Sequence, residues 1–192
     1  MASNIKKRIF VGINLDEDDK QKLVRIQNSI SRYFPENDPI VWTKKENLHI
    51  TVFFVGFVYD TDLFDILNQV EKAAKGFKPF FLKFNEIDFM PRGDNKKMVW
   101  IFGKQNKGLE GIRQKIKQNL LETEREVESF TPHITMGRIT QWVLRKIEKE
   151  EIPNINDEIP INFEILVDSI DIMESELRKG GAKYTILKNI KL

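Results

Sequence analysis

The two segments that contain the histidines of this chain constrain its fold most, because both alternate polar and apolar residues with a period of two. Residues 47–56 are NLHITVFFVG and residues 130–138 are FTPHITMGR. Side chains alternate across a β-strand, so this period predicts two strands. On each strand His and Thr share one side, and the Ile between them points to the other. The chain therefore carries the same polar pair on two strands.

The repetition of His-Ile-Thr is improbable by chance. With 24 Ile and 8 Thr among 192 residues, a given His is followed by Ile-Thr with a chance of roughly 0.5%, and both histidines with a chance of roughly 10⁻⁵. Ile and Thr are both β-branched strand formers, and a single strand His is more often structural than catalytic. The duplication nevertheless indicates a function that composition does not explain.

The remaining sequence predicts an α+β fold in which strands and helices alternate. We expect mostly antiparallel strands in a single bilobal domain of residues 1–192. The predicted elements are a strand at 8–15, a helix that ends before Pro35, a helix at 62–75 capped by Asp60 or Thr61 and closed by Gly76, a hairpin of 79–91 and 97–103, a helix at 108–122, a short helix at 141–151, and closing strands with a bulge near Asp168 and Ser169.

Composition excludes several classes of protein. The net charge is only +2, which argues against a strong non-specific nucleic-acid binder but allows a locally basic site. The chain has no Cys, which excludes disulfide scaffolds, thiolate zinc sites and cysteine nucleophiles. No window approaches 18 apolar residues, and the N-terminus lacks the apolar core of a signal peptide. We therefore expect a soluble, cytoplasmic protein without membrane partners.

Two imidazoles near neutral pH can act as a base and an acid, because one neutral and one protonated copy coexist close to pH 6.5. A Thr hydroxyl on the same side could bind a phosphate oxygen or hold the ring. Two such pairs would suit in-line cleavage of a phosphodiester. A two-histidine metal site is the rival interpretation, but it requires a carboxylate where both motifs have Thr. The chain also lacks a G-x-S-x-G elbow, a P-loop and a dinucleotide fingerprint.

These motifs resemble those of the 2H phosphoesterases, and more closely their RNA 2′,3′-cyclic phosphodiesterase branch, also described as 2′-5′ RNA ligases. The resemblance covers nearly the whole chain: RIFVGINL is similar to the opening strand, WTKKENLHITVFFVG to the first motif, IDFMP and MVWIFG to the middle hairpin, FTPHITMGRI to the second motif, and MESELRKGGAKYTIL to the closing strands.

The resemblance implies a bilobal fold of two mostly antiparallel sheets flanked by helices around a central cleft. It also implies hydrolysis of an RNA-terminal 2′,3′-cyclic phosphate to a 2′-phosphate, with no cofactor and no metal. It implies that His49 donates a proton to the leaving 3′ oxygen and that His133 accepts a proton from water. Thr51 and Thr135 would bind the phosphate. The expected partner is an RNA or nucleotide cyclic phosphate, the reverse 2′-5′ ligation is allowed, and we expect a monomer.

One position departs from the family pattern H-x-T-x-R-F-x-G, because Phe53 stands where the family often has Arg or Lys. By strand parity Phe53 shares the side of His49, where its ring could stack on a base. Arg138 matches the arginine after the second motif, although simple parity turns it away from His133. Trp42 and Trp100 are further candidates for stacking on a base.

Two alternatives remain open at this point. The catalytic pair could act on small cyclic nucleotides, ADP-ribose cyclic phosphate or 2′-5′ oligoadenylates instead of RNA. The chain could also be a non-catalytic module that binds RNA ends, although a pure binder would have no need for a matched acid and base.

Overall fold

The computed structural model describes residues 6–34, 38–91, 97–121, 130–141, 145, 153–179 and 181–192. The described strands are β1 (Lys6–Asn14), β2 (Ile40–Trp42), β3 (His49–Tyr59), β4 (Phe80–Met90), β5 (Met98–Gly103), β6 (His133–Ile139), β7 (Phe163–Val167), β8 (Ser169–Arg178) and β9 (Gly181–Lys191). The described helices are α1 (Glu17–Ser31), α2 (Leu63–Ala74), α3 (Lys107–Leu121) and the single turn α4 (Ile155–Glu158).

The strands form one nine-stranded antiparallel sheet, which confirms the predicted α+β class. The strand order is β7-β4-β5-β6-β3-β1-β8-β9, and β2 pairs with β6. The two predicted sheets are the halves of this sheet. Within the described ranges, β3 and β6 are joined by one pair, Ile50 with Ile134. Each half therefore ends, at the centre of the molecule, in a strand that begins with a histidine.

A row of isoleucines crosses the centre of the sheet and anchors it to the core. Ile13 pairs with Ile50, Ile50 with Ile134, and Ile134 with Ile101, and each is at most 3% exposed. They belong to one buried cluster with apolar residues of α1, α2 and α3. Burial of each side chain contributes about 1.5–3 kcal/mol. The helices therefore cover this side of the sheet, and we call the opposite side the open face.

The N-terminus of α2 and the bulge predicted in the C-terminal region differ from the sequence prediction. Asp62, rather than Asp60 or Thr61, precedes α2, and its side chain makes no capping hydrogen bond. The change of parity at Asp168 is not a bulge. There β7 ends and β8 begins, and these strands lie in opposite halves of the sheet.

Other differences concern short elements. The sequence analysis missed β2 and α4, because three or four residues are too few for a periodic pattern. Gly76 has φ of 91°, in the left-handed region, and lies two residues after the end of α2, as predicted. The short helix predicted at 141–151 falls almost entirely outside the described residues. None of the helices within the described ranges has the length and apolar character needed to cross a membrane.

Candidate active site

The pairing of Ile50 with Ile134 brings the two His-Ile-Thr tripeptides side by side. Because both isoleucines point into the core, the His and Thr residues on either side of them point to the open face. His49 and His133 are close enough for the charge of His133 to lower the pKa of His49. The structure thus brings together the four polar side chains that the sequence singled out.

The two imidazoles are oriented in the same way. Nδ1 of His49 lies 2.7 Å from the carbonyl oxygen of Asn47, and Nδ1 of His133 lies 3.1 Å from that of Thr131. A carbonyl can only accept, so each Nδ1 carries a proton and donates it. The neutral ring then presents an unprotonated Nε2. Each strand therefore supplies one imidazole whose Nε2 is the atom available for proton transfer.

His49 is held by its own threonine and by two aromatic rings. Its Nε2 lies 3.0 Å from Oγ1 of Thr51. The ring centroids of Phe10 and Tyr184 lie 5.1 Å and 5.0 Å from that of His49, and Tyr184 meets it edge-on. Phe10 comes from β1 and Tyr184 from β9. The first half of the sheet thus fixes this imidazole from three strands.

His133 is held by a stacked indole. The ring of Trp100 lies nearly parallel to it, with an interplanar angle of 18° and centroids 4.0 Å apart. Phe130 lies 5.7 Å away, and the guanidinium of Arg113 lies 4.0 Å from the centroid of the Phe130 ring. An arginine of α3 is therefore close to the second histidine.

Burial is the main cause of the pKa values of both histidines. It lowers the pKa of His49 below the usual value, although the Asn47 carbonyl acts in the opposite direction, and the charges of His133 and Lys20 lower it further. Burial also lowers the pKa of His133, and the charge of Arg113 adds to this effect against the Thr131 carbonyl. Both rings therefore favour the neutral form at pH 7 when no anion is bound.

Each histidine strand has a β-bulge at the residue after its threonine. Val52 is the extra residue of β3 opposite β1, and Met136 is the extra residue of β6 opposite β5. A helix satisfies each bulge carbonyl: Nε of Arg113 donates to the oxygen of Val52 at 2.9 Å, and Nε2 of Gln27 donates to that of Met136 at 2.9 Å. Both halves therefore have, at equivalent positions, a bulge whose carbonyl accepts a hydrogen bond from a helix side chain.

These bulges reverse the strand parity that the sequence analysis assumed. Phe53 pairs with Val11 on the buried side and packs against the core, so it does not share the open face with His49. Phe54 occupies the open face instead and is 64% exposed. In the second half Arg138 pairs with Met98 on the open face, on the same side as His133. The bulge thus turns Arg138 to the open face.

Trp42 and Trp100 lie on opposite sides of the sheet. Trp42 pairs with Gly137, and a Cβ added at Gly137 would lie 3.2 Å from the indole on the buried side. The Nε1 of Trp42 donates to Asp38 at 2.9 Å. The structure therefore does not bring Trp42 to the histidines. Trp100 does lie at the site, but its ring stacks on His133 rather than standing free for a base.

The sequence analysis missed three polar residues that support the site from the helices. Gln27 and Arg113 hold the bulge carbonyls. Lys20 is only 8% exposed, donates to Oδ1 of Asn14 at 2.8 Å, and lowers the pKa of His49. Lys20 and Gln27 lie at helical spacing from the buried Leu23. Polar residues on the apolar side of a helix are unusual, and this position could have identified them as supporting residues. Within the described ranges, no three acidic or histidine side chains form a cluster that could hold a metal.

The chain was compared with known protein families. Residues 21–178 match the model of the 2′-5′ RNA ligase superfamily. Among curated proteins, it is 29% identical over 186 residues to the RNA 2′,3′-cyclic phosphodiesterase of Methanocaldococcus jannaschii, covering 94% of this chain and 98% of that protein. It is 26% identical over 189 residues to the protein of the same name from Thermotoga maritima, covering 94% and 92%.

Solved structures share the fold at lower identity. The apo form of Escherichia coli LigT superposes with a TM-score of 0.74 at 21% identity, covering 97% of this chain and 98% of that one. The protein TT0787 of Thermus thermophilus superposes with a TM-score of 0.73 at 22% identity, covering 96% and 97%. The architecture described above is therefore that of LigT.

Proposed function

The chain belongs to the 2′-5′ RNA ligase superfamily, and from this premise we propose that it hydrolyses RNA-terminal 2′,3′-cyclic phosphate to a 2′-phosphate without a metal ion. The observation that carries the proposal is the matched orientation of His49 and His133, because each donates from Nδ1 to a backbone carbonyl and so keeps Nε2 as its basic nitrogen. In His49 this Nε2 accepts from the Thr51 hydroxyl at 3.0 Å. Several relatives are named RNA 2′,3′-cyclic phosphodiesterase, which supports the same reaction.

In the proposed reaction water attacks phosphorus in line with the bond to the 3′ oxygen. Nε2 of His133 accepts a proton from this water as the new P–O bond forms. The bond between phosphorus and the 3′ oxygen breaks, and Nε2–H of protonated His49 donates its proton to that oxygen. The products are a 2′-phosphate and a free 3′ hydroxyl. Each proton transfer contributes roughly 10²–10⁴ in rate.

The remaining side chains act on the phosphate. The hydroxyls of Thr51 and Thr135 donate to its non-bridging oxygens, and Arg138 on the same face adds positive charge. Binding of the phosphate anion raises the pKa of His49 and protonates the acid where it is needed. If the 5′ hydroxyl of a second RNA replaces water as the nucleophile, His133 accepts its proton, the bond between phosphorus and the 3′ oxygen breaks, and His49 protonates that oxygen. The product is a 2′-5′ phosphodiester, which would account for ligation, and microscopic reversibility allows its cleavage back to the cyclic phosphate.

A single copy of the chain has the groups that this reaction requires, because each half of the sheet supplies one histidine. We therefore propose that residues 1–192 act as one catalytic domain and as a monomer. Size-exclusion chromatography with light scattering tests the monomer, and a dimer mass at working concentrations would contradict it.

The test is turnover of a short RNA ending in 2′,3′-cyclic phosphate, in EDTA, followed by ³¹P NMR. The expected product is the 2′-phosphate for the wild type, and loss of turnover for His49→Gln and His133→Gln. A 3′-phosphate product, or full activity in either variant, would contradict the proposal.

Two other interpretations have distinct outcomes in this experiment. Turnover of a mononucleoside cyclic phosphate but not of the RNA would favour small cyclic nucleotides or oligoadenylates as substrates. RNA binding without turnover, which survives replacement of both histidines, would favour a binding module. The buried, matched imidazoles favour the enzyme, because a binder gains nothing from two costly desolvated bases.

A further inference from the structure

A row of side chains on the open face leads away from the catalytic pair along β1 and β3. The strand β1 has no bulge of its own, so alternate residues from Gly12 back to Lys6 share this face. Their partners on β3 are mostly aromatic. The cross-strand pairs are Gly12 with Thr51, Phe10 with Phe54, Arg8 with Phe57, and Lys6 with Tyr59. We call the last three pairs the aromatic–basic track.

The aromatic rings that β3 contributes to the track are exposed, although apolar rings of this size are normally buried, whereas Phe10 of β1 is only 3% exposed and packs beneath them. Phe54 is 64% exposed, Phe57 is 71% exposed and Tyr59 is 37% exposed. Phe54 and Phe57 are three residues apart and would fall on opposite faces of a regular strand. A second bulge, at Val55, restores Phe57 to the open face, and the adjacent Gly56 has φ of 98°. The backbone is therefore bent in a way that presents both rings together.

The basic residues of the track remain available to an anion. The Nζ of Lys6 lies 4.6 Å from the centroid of the Tyr59 ring. Arg8 is exposed beside Phe57 and, among the described residues, forms no salt bridge. Lys7, in contrast, points to the other face and pairs with Asp60 and Glu174. Two cations on this face are thus left to attract phosphate.

The track is continuous with the active site. It starts next to Thr51, and the distance along β1 from Gly12 to Lys6 corresponds to roughly 20 Å at the rise of a strand. The equivalent surface of the other half lies on β5 and β6 and has a different character. There the pair beyond Thr135 is Met98 with Arg138. This position therefore presents a guanidinium and an aliphatic side chain instead of a pair of aromatic rings.

We propose that the aromatic–basic track binds the single-stranded RNA chain that leads to the terminal cyclic phosphate. This inference rests on the proposed function for the position of the RNA end. Exposed rings stack on bases of any sequence, and interleaved Lys and Arg contact phosphates, which is how proteins bind single strands without sequence preference. The track would therefore add contacts to nucleotides upstream of the terminal one, with little sequence preference.

The test compares kcat/KM for two substrates, a mononucleoside 2′,3′-cyclic phosphate and an eight-nucleotide RNA with the same end. Phe57→Ala should lower kcat/KM for the RNA by roughly tenfold, because loss of one base–aromatic stack weakens binding by about this factor. The kcat/KM for the mononucleoside should be unchanged. Phe64→Ala is the matched control, because Phe64 is also 71% exposed but lies on α2. Arg8→Gln should reduce the slope of log kcat/KM against log salt for the RNA by about 0.7.

The outcomes separate this inference from the proposed function. Turnover of both substrates, with Phe57→Ala and Arg8→Gln indistinguishable from Phe64→Ala, would overturn the track and leave the cyclic phosphodiesterase intact. Turnover of neither substrate would overturn the proposed function. RNA affinity measured by fluorescence anisotropy, with the 2′-phosphate product as probe, would then still test the track, and an unchanged affinity in Phe57→Ala would overturn it.

Discussion

The two halves of the sheet position their histidines with the same backbone and different side chains. In both halves the imidazole donates from Nδ1 to a carbonyl two residues upstream, and a bulge follows the threonine. Around this frame the first half has Phe10 and Tyr184, and the second has Trp100 and a nearby arginine. The backbone therefore sets the geometry of the pair, and the neighbouring side chains distinguish its members.

The difference is clearest at the residue two positions after each bulge. The first half places Phe54 on the open face, and the second half places Arg138 there. An aromatic ring suits a base, and a guanidinium suits a phosphate. Under the proposed function, the half with Phe54 would contact a base and the half with Arg138 would contact a phosphate.

The largest expected effect separates the roles of the two imidazoles. We expect His49→Ala and His133→Ala each to lower kcat by roughly 10²–10⁴-fold on the cyclic phosphate. With a substrate in which sulfur replaces the 3′ oxygen, the thiolate leaves without an acid. Activity of His49→Ala should then recover, and that of His133→Ala should not. Steady-state kinetics on the two substrates measures both.

Equal recovery of the two variants would contradict the assignment of acid and base, and recovery of His133→Ala alone would reverse it. Circular dichroism of each variant controls for folding, because both rings pack against aromatic neighbours.

The next effect compares the side chains that hold the two bulges. Arg113→Met removes a charged donor from the Val52 carbonyl and a cation from the Phe130 ring, and we expect a loss of about 2–3 kcal/mol in the free energy of unfolding. Gln27→Leu removes the donor from two carbonyls, those of Met136 and Thr43, each at 2.9 Å. We expect a smaller loss, about 1–2 kcal/mol, because the lost donor is uncharged and the Met136 carbonyl still accepts from the backbone N–H of Thr43 at 2.9 Å. Urea denaturation at pH 7.5 measures both. A larger loss for Gln27→Leu would show that the two bulges are not held as the hydrogen bonds indicate.

A smaller effect is expected for Arg138→Met. Because Arg138 is exposed on the open face, the change should lower kcat/KM about tenfold through KM, with little change in stability. Arg25→Met is the matched control, because Arg25 is also exposed but lies on α1. If the two variants have the same kcat/KM, Arg138 does not contact the substrate.

The smallest effect is a dependence of stability on pH. The pKa of each histidine is lower in the folded protein than its usual value near 6.5, so the unfolded chain binds more protons just below that value. The stabilisation is therefore present above pH 6.5 and is lost as the pH falls through the folded pKa values. Urea titrations at pH 7.5 and 5.0 should show a smaller loss for the double variant His49→Gln/His133→Gln than for the wild type. The same loss in both proteins would assign it to carboxylates.

The local pattern of the sequence was sufficient for the central strands and for the face of the site. Period-two alternation placed His49 with Thr51 and His133 with Thr135, and the structure has both pairs on one face. The same pattern failed beyond each threonine, where it put Phe53 on the open face and turned Arg138 away. It also merged β7 and β8 into one bulged strand, because a bulge within a strand and a boundary between two strands both change the parity of the apolar residues.

What the sequence determined by itself was therefore which histidine and threonine share a face on each strand, because residues two apart on a strand share a side. The tertiary structure decided which residues surround each pair. The bulges at Val52 and Met136 turn Phe54 and Arg138 to the open face. The Val52 carbonyl accepts from Arg113, 61 residues away, and the Met136 carbonyl accepts from Gln27, 109 residues away. A buried carbonyl needs a hydrogen-bond donor, and a local pattern of alternation cannot predict a donor that is so distant in the chain.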